Sequence, residues 1–176
     1  MKLNKLIAIA TISLLSGGIS MAQKALNLED IVAGNVIQTK GIGSMTWLKD
    51  GERYSRLENN KQTGGTDIVA YQAKDNSREV IIPSSLLTDK STGKPIPARS
   101  ISWSADNKKV LIYNNTQRVW RYDTRGDYWV LNLKDGALRQ LGKGMPESSM
   151  MFAKFSPDGT RVAYVSNNNI YVEDID

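Results

Sequence analysis

Three stretches of this chain align on one another without a gap. They are Trp47-Leu48-Lys49-Asp50-Gly51-Glu52-Arg53-Tyr54, Trp103-Ser104-Ala105-Asp106-Asn107-Lys108-Lys109-Val110 and Phe155-Ser156-Pro157-Asp158-Gly159-Thr160-Arg161-Val162. Each runs from an aromatic residue through an Asp-Gly or Asp-Asn turn to a basic residue and then a strand-like segment. Gly and Asn tolerate the positive φ that a tight reversal needs, so the two flanking segments are expected to pair antiparallel. The copies start 56 and then 52 residues apart. That period lies near the long end of propeller blades and far from helical solenoids.

Short β-rich runs follow each turn. Val110-Leu111-Ile112-Tyr113 and Val162-Ala163-Tyr164-Val165 come first, with a further strand at Asp67 to Tyr71, Tyr128 to Leu133 and Asn169 to Glu173. Apolar character over such short lengths, bounded by Asn, Gly and Asp, reads as strand rather than helix. The expected fold is all-β, a partial propeller of about three four-stranded blades. Three matched copies favour it over a β-sandwich in which common turn words coincide. The recurring aromatics Trp47, Trp103 and Phe155 are expected in the blade core. One helical exception is predicted, Leu28-Glu29-Asp30-Ile31-Val32, with Asn27 as its cap and Gly34 beyond its end.

The N-terminus reads as an export leader. Lys2 and Lys5 precede an apolar run from Leu6 to Leu15, and Ser20-Met21-Ala22 offers small residues at the cleavage positions. Ser16-Gly17-Gly18 interrupts the apolar run before it reaches the ~20 residues of a bilayer span. The expected organisation is a signal peptide over 1–22 cleaved after Ala22, a lead-in segment with a short helix over 23–40, and an incomplete propeller domain over 41–176. A secreted or periplasmic location follows, with no membrane span after leader removal.

Without Lys2 and Lys5 the chain has 21 basic against 18 acidic residues, an excess of +3. Those charges are scattered singly rather than gathered with aromatics on one stripe, so nucleic acid is not an expected partner. There is no cysteine and no histidine. Stability must therefore come from packing, and thiol chemistry, Cys-rich metal sites and an imidazole general base are all absent from the chain. No metal and no cofactor is expected. Propellers close with roughly four to eight blades, so about three blades are expected to belong to a longer protein whose end blades would otherwise expose apolar faces and open strand edges.

The run Trp120-Arg121-Tyr122-Asp123-Thr124-Arg125-Gly126-Asp127-Tyr128-Trp129-Val130-Leu131-Asn132-Leu133 resembles a propeller segment of the dipeptidyl peptidase IV family, bacterial type. So does Met151 to Val165 followed by Asn168-Asn169-Ile170-Tyr171-Val172. The resemblance implies an eight-bladed ring over an α/β-hydrolase domain that follows it in sequence and supplies a Gly-x-Ser-x-Gly serine nucleophile with aspartate and histidine. Gly-x-Ser-x-Gly does not occur in this chain. The resemblance therefore implies a chain with no catalytic residue, which alone is inactive, from a secreted serine-type exopeptidase that releases N-terminal dipeptides from peptide substrates. A homodimer of the full-length protein is compatible with it.

In the family the propeller contributes an arginine that binds a substrate backbone carbonyl, and Arg121 stands at that position. The family's paired glutamates lie beyond Asp176 in the family order. A guanidinium is suited to the task, being a planar fork of donors that stays charged at any working pH. Read from pattern alone, Arg121 is rather a surface arginine paired with Asp123 or Asp127 and stacked on Trp120, and the resemblance is what favours the binding role in the intact enzyme. A rival function is a non-enzymatic periplasmic propeller that binds a peptide or protein partner, since the fold hosts many functions.

Overall fold

A computed structural model describes residues 27–32, 41 and 43–175. The expected leader over 1–22 lies outside the described residues, as does most of the lead-in. The chain divides into two compact units, Met1–Gly41 and Ile42–Asp176. In the first, helix α1 (Leu28–Val32) is a single turn closed by a bond from the Ile31 N–H to the Asn27 carbonyl, 3.3 Å.

The second unit is built from three antiparallel meanders. Strands β1 (Met45–Trp47), β2 (Arg53–Asn59), β3 (Thr66–Gln72) and β4 (Arg78–Ile82) form the first sheet in chain order. Strands β5 (Ser100–Trp103), β6 (Lys109–Val119), β7 (Tyr122–Asn132) and β8 (Ala137–Gln140) form the second. The third, among the described residues, holds β9 (Met151–Phe155), β10 (Arg161–Ser166) and β11 (Asn169–Asp174). Each sheet has the up-and-down order of a propeller blade, and the fold is a partial β-propeller.

The repeated turns are alike atom by atom. Gly51, Asn107 and Gly159 all take positive φ, at +71°, +57° and +70°. The aspartate ahead of each fixes the reversal: Asp50, Asp106 and Asp158 accept the N–H two residues on, at 2.9 to 3.0 Å. The residue after each aromatic then closes the hairpin, with N–H bonds from Leu48, Ser104 and Ser156 to the carbonyls of Arg53, Lys109 and Arg161. These bonds span at most five residues, which is why so short a sequence word encodes them.

Packing follows from the two-residue period of a strand. In the middle sheet Val110, Ile112 and Leu131 point to one face and pack with Ile68 and Ile82 of the first sheet. Leu111, Tyr128 and Val130 point to the other and pack with Val162 and Tyr164 of the third. The middle sheet is thus buried on both sides, which explains the unbroken apolar run Val110-Leu111-Ile112. Between β4 and β5 the segment 88–97 is polar at its tip, but Leu87 and Ile96 at its two ends are buried in the core between the first two sheets. A main-chain bond from Ile96 to Leu87, 2.7 Å, ties those ends together.

The recurring aromatics do not share one environment. Trp103 packs into the core between the first and second sheets and donates its indole N–H to the buried Ser55 hydroxyl, 2.9 Å. Phe155 packs likewise between the second and third. Trp47, expected in the core, is 56% exposed and rests edge-on against Tyr54 at 6.0 Å. Its two counterparts are covered by the sheet before them, and no described sheet precedes β1.

A second repeat, absent from the sequence reading, is a stacked tyrosine pair across two adjacent strands of each described sheet, β2–β3, β6–β7 and β10–β11. Tyr54 pairs with Tyr71, Tyr113 with Tyr128 and Tyr164 with Tyr171. Their ring centroids lie 5.5, 4.8 and 5.6 Å apart and nearly parallel.

Candidate functional site

Strands β6 and β7 are 11 residues each, whereas their neighbours β5 and β8 have four. Their outer halves therefore leave the sheet as a two-stranded ribbon running from Asn114 to Gly126, with Trp120 and Arg121 at the turn. Of the two turn residues only Trp120 has positive φ, +61°, which places a tryptophan where a tight hairpin ordinarily prefers glycine. Its side chain is 93% exposed.

The root of the ribbon is held by one residue. Gly126 exchanges two main-chain bonds with Met150, 3.0 and 3.1 Å, joining the second sheet to the third. A Cβ at Gly126 would stand 2.4 Å from Cε2 of Tyr113 and 2.7 Å from the Asn114 carbonyl oxygen, so only glycine allows that approach. The Tyr113 hydroxyl lies 3.0 Å from the Asp123 carbonyl and 2.9 Å from that of Arg125, which steers the ribbon's second strand. Burial, helped by Tyr128 and Asp123, pushes the Tyr113 phenol up to about 12, so it remains a protonated donor.

Between the ribbon and the start of β5 opens a cavity of about 550 Å³ lined by Ser44, Arg99, Ser100, Tyr113, Arg118, Arg121, Tyr122 and Asp123. Arg99 is held there by its N–H bond to the Tyr113 carbonyl, 2.8 Å, and pairs with Asp123 at 3.3 Å. Arg118, paired with Asp123 in the strand register, makes one weak contact to the Arg121 carbonyl at 3.5 Å.

Arg121 lines this cavity with its side chain uncommitted among the described residues. Neither partner named from the sequence engages it. Asp123 pairs with Arg99, and Asp127 accepts from Asn115 Nδ2 at 2.7 Å and from the Ser148 N–H at 2.8 Å. No stack of Arg121 on Trp120 forms among the described residues; the one guanidinium over a ring is Arg56 over Tyr71. The companions Arg99, Arg118, Tyr113 and Tyr122 escaped the sequence reading. Arg118 was reachable through the two-residue turn, which sets it across from Asp123, but Arg99 reaches the cavity only through the β5–β6 pairing.

Glu173, near the end of β11, is part of a clasp between the second and third sheets. Its carboxylate accepts from the Tyr164 hydroxyl at 2.5 Å and the Gly142 N–H at 2.7 Å, and pairs with Arg139 at 3.0 Å. Burial alone would raise its pKa, but these three donors together hold it below the usual carboxylate range.

Comparison with known proteins gives a consistent picture. Residues 104–176 match the family model described as the dipeptidyl peptidase IV N-terminal region. A probable dipeptidyl-aminopeptidase B of Tuber melanosporum is 28% identical over 160 residues, covering 88% of this chain and 17% of the relative. Dipeptidyl aminopeptidase B of Saccharomyces cerevisiae is 28% identical over 152 residues, 81% of this chain and 17% of the relative. The chain thus spans less than a fifth of the length of these curated relatives. The crystal structure of Porphyromonas gingivalis dipeptidyl peptidase 4 superposes with a TM-score of 0.66 at 23% identity, over 86% of this chain and 20% of that one, and shares the fold. Residues 104–176 are thus similar to a dipeptidyl peptidase IV N-terminal region, as is the wider chain to dipeptidyl aminopeptidases at lower identity, and the architecture is that of a β-propeller.

Proposed function

We propose that the chain is the N-terminal propeller portion of a secreted serine exopeptidase that releases dipeptides from peptide N-termini, and that Arg121 holds a substrate backbone carbonyl in it. The names of the relatives support a peptidase. The observation that carries the role of Arg121 is its uncommitted guanidinium beside an open cavity, with both nearby carboxylates engaged elsewhere. A charge-assisted hydrogen bond of this kind contributes about 1.5–3 kcal/mol once water is excluded.

The chain supplies no histidine and no serine elbow, so the reaction is assigned to a hydrolase domain outside it. The chain alone is expected to leave dipeptidyl chromogenic substrates intact. Turnover by the chain alone that a serine-directed inhibitor abolishes would refute this division of labour. In a full-length product carrying the hydrolase domain, Arg121→Ala should lower kcat/KM about tenfold to a hundredfold. An unchanged value removes Arg121 from the site. Export is tested by N-terminal sequencing of the secreted protein, expected to begin at Gln23.

A further inference from the structure

We infer that the cavity beside the β6–β7 ribbon selects peptides carrying a side-chain carboxylate, with Arg118 as the residue that receives it. The inference rests on the reading of Arg121 as a peptide ligand and adds a preference to it. Three guanidinium groups, those of Arg99, Arg118 and Arg121, line one opening that contains a single carboxylate, Asp123. Arg99 occupies that carboxylate at 3.3 Å. Arg118 and Arg121 lie three residues apart on the ribbon and make no side-chain ion pair among the described residues, although Asp123 faces Arg118 in the register.

Such a pair favours a ligand that brings negative charge. Arg121 would be spent on a neutral carbonyl, leaving Arg118 with most of its donors unused and in no ion pair among the described residues. A carboxylate satisfies the planar fork in bidentate fashion, which an amide or hydroxyl cannot do. The flanking rings of Tyr113 and Tyr122 give the cavity apolar walls along which the methylenes of a glutamate side chain can lie. Both arginines are exposed, so the preference is limited by solvent screening to about fivefold and falls with added salt.

The test uses the full chain and two peptide amides, Ala-Pro-Glu-Ala and Ala-Pro-Gln-Ala, which differ only in the carboxylate. Binding is followed through the arginine Nε–H resonances, which report weak association directly. The expected result is about threefold to fivefold tighter binding of the Glu peptide at low salt, with the ratio falling to near one in Arg118→Gln and at high salt. Equal affinities for the two peptides would overturn the acidic preference and leave the peptide-binding reading standing. Binding of neither peptide would remove both. Inorganic phosphate shifting the same resonances at the affinity of the Glu peptide would also overturn the preference, marking a general anion patch. Arg118 lies on an exposed ribbon outside the core clusters, so Arg118→Gln should retain the wild-type β-sheet circular dichroism.

Discussion

Gly126→Ala tests whether the ribbon's root is as tight as its contacts imply. The added methyl would lie 2.4 Å from the Tyr113 ring, against the ~3.5–4 Å of ordinary carbon contact, so the ring must retreat by about 1 Å. That ring is held by a hydroxyl bond to the carbonyls of Asp123 and Arg125 and by its stack on Tyr128. Loosening the hydroxyl costs about 1 kcal/mol, disturbing the stack about another, and overpacking about 1–3. Replacing glycine offsets this by about 0.4–1 kcal/mol through the unfolded chain, because φ at Gly126 is not positive. The net loss is about 2–4 kcal/mol. In urea, with a slope of about 2 kcal/mol/M, the midpoint should fall by about 1–2 M. In a Tyr113→Ala background the ring contact no longer exists, and the same substitution should cost less, the remainder coming from the Asn114 carbonyl oxygen 2.7 Å from the new methyl. A Gly126→Ala midpoint within about 0.3 M of wild type would show that the ring yields freely and that nothing at this position requires glycine.

Ser55→Ala should destabilise the chain by about 1–3 kcal/mol in the same assay, because it strands the Trp103 indole N–H and leaves the Thr46 carbonyl without its 3.1 Å donor. Glu173→Gln should flatten the acid limb of the stability profile. The folded carboxyl sits below its ordinary 4.5, so the unfolded chain binds more protons there; the stabilisation is complete above that value and disappears as pH falls through the folded one. Urea midpoints measured from neutral pH downward should converge for variant and wild type, and parallel curves would refute the role of the clasp. Trp120→Gly should relieve the left-handed strain of the ribbon turn, about 1–2 kcal/mol, and slow hydrogen exchange of the Val119 and Tyr122 amides; faster exchange would show that the indole packing, not the turn, orders the tip.

What could be read from the sequence was what short-range bonds decide. Asp50, Asp106 and Asp158 each satisfy amides two residues on, so their turns announce themselves locally, as do the alternating strands that follow. The length of β6 and β7 did not. Asn115 to Arg118 and Asp123 to Arg125 are polar on both faces, which reads as loop, because a ribbon outside the core needs no apolar side. Burial depended on neighbours as well: Trp47 and Trp103 hold the same repeat position, yet only Trp103 has a sheet in front of it. The cavity was half legible. Arg121 is found by its neighbours in sequence, whereas Arg99 reaches it through strand pairing that no local word specifies.

The tyrosine pair in each sheet equips every blade with its own optical label. Two phenol rings that are nearly parallel at about 5 Å share their electronic transitions, and the coupling disappears once the strands separate. Replacing one member of a single pair with phenylalanine silences that blade alone. Near-ultraviolet dichroism of three such variants could then show whether the sheets melt together or one at a time.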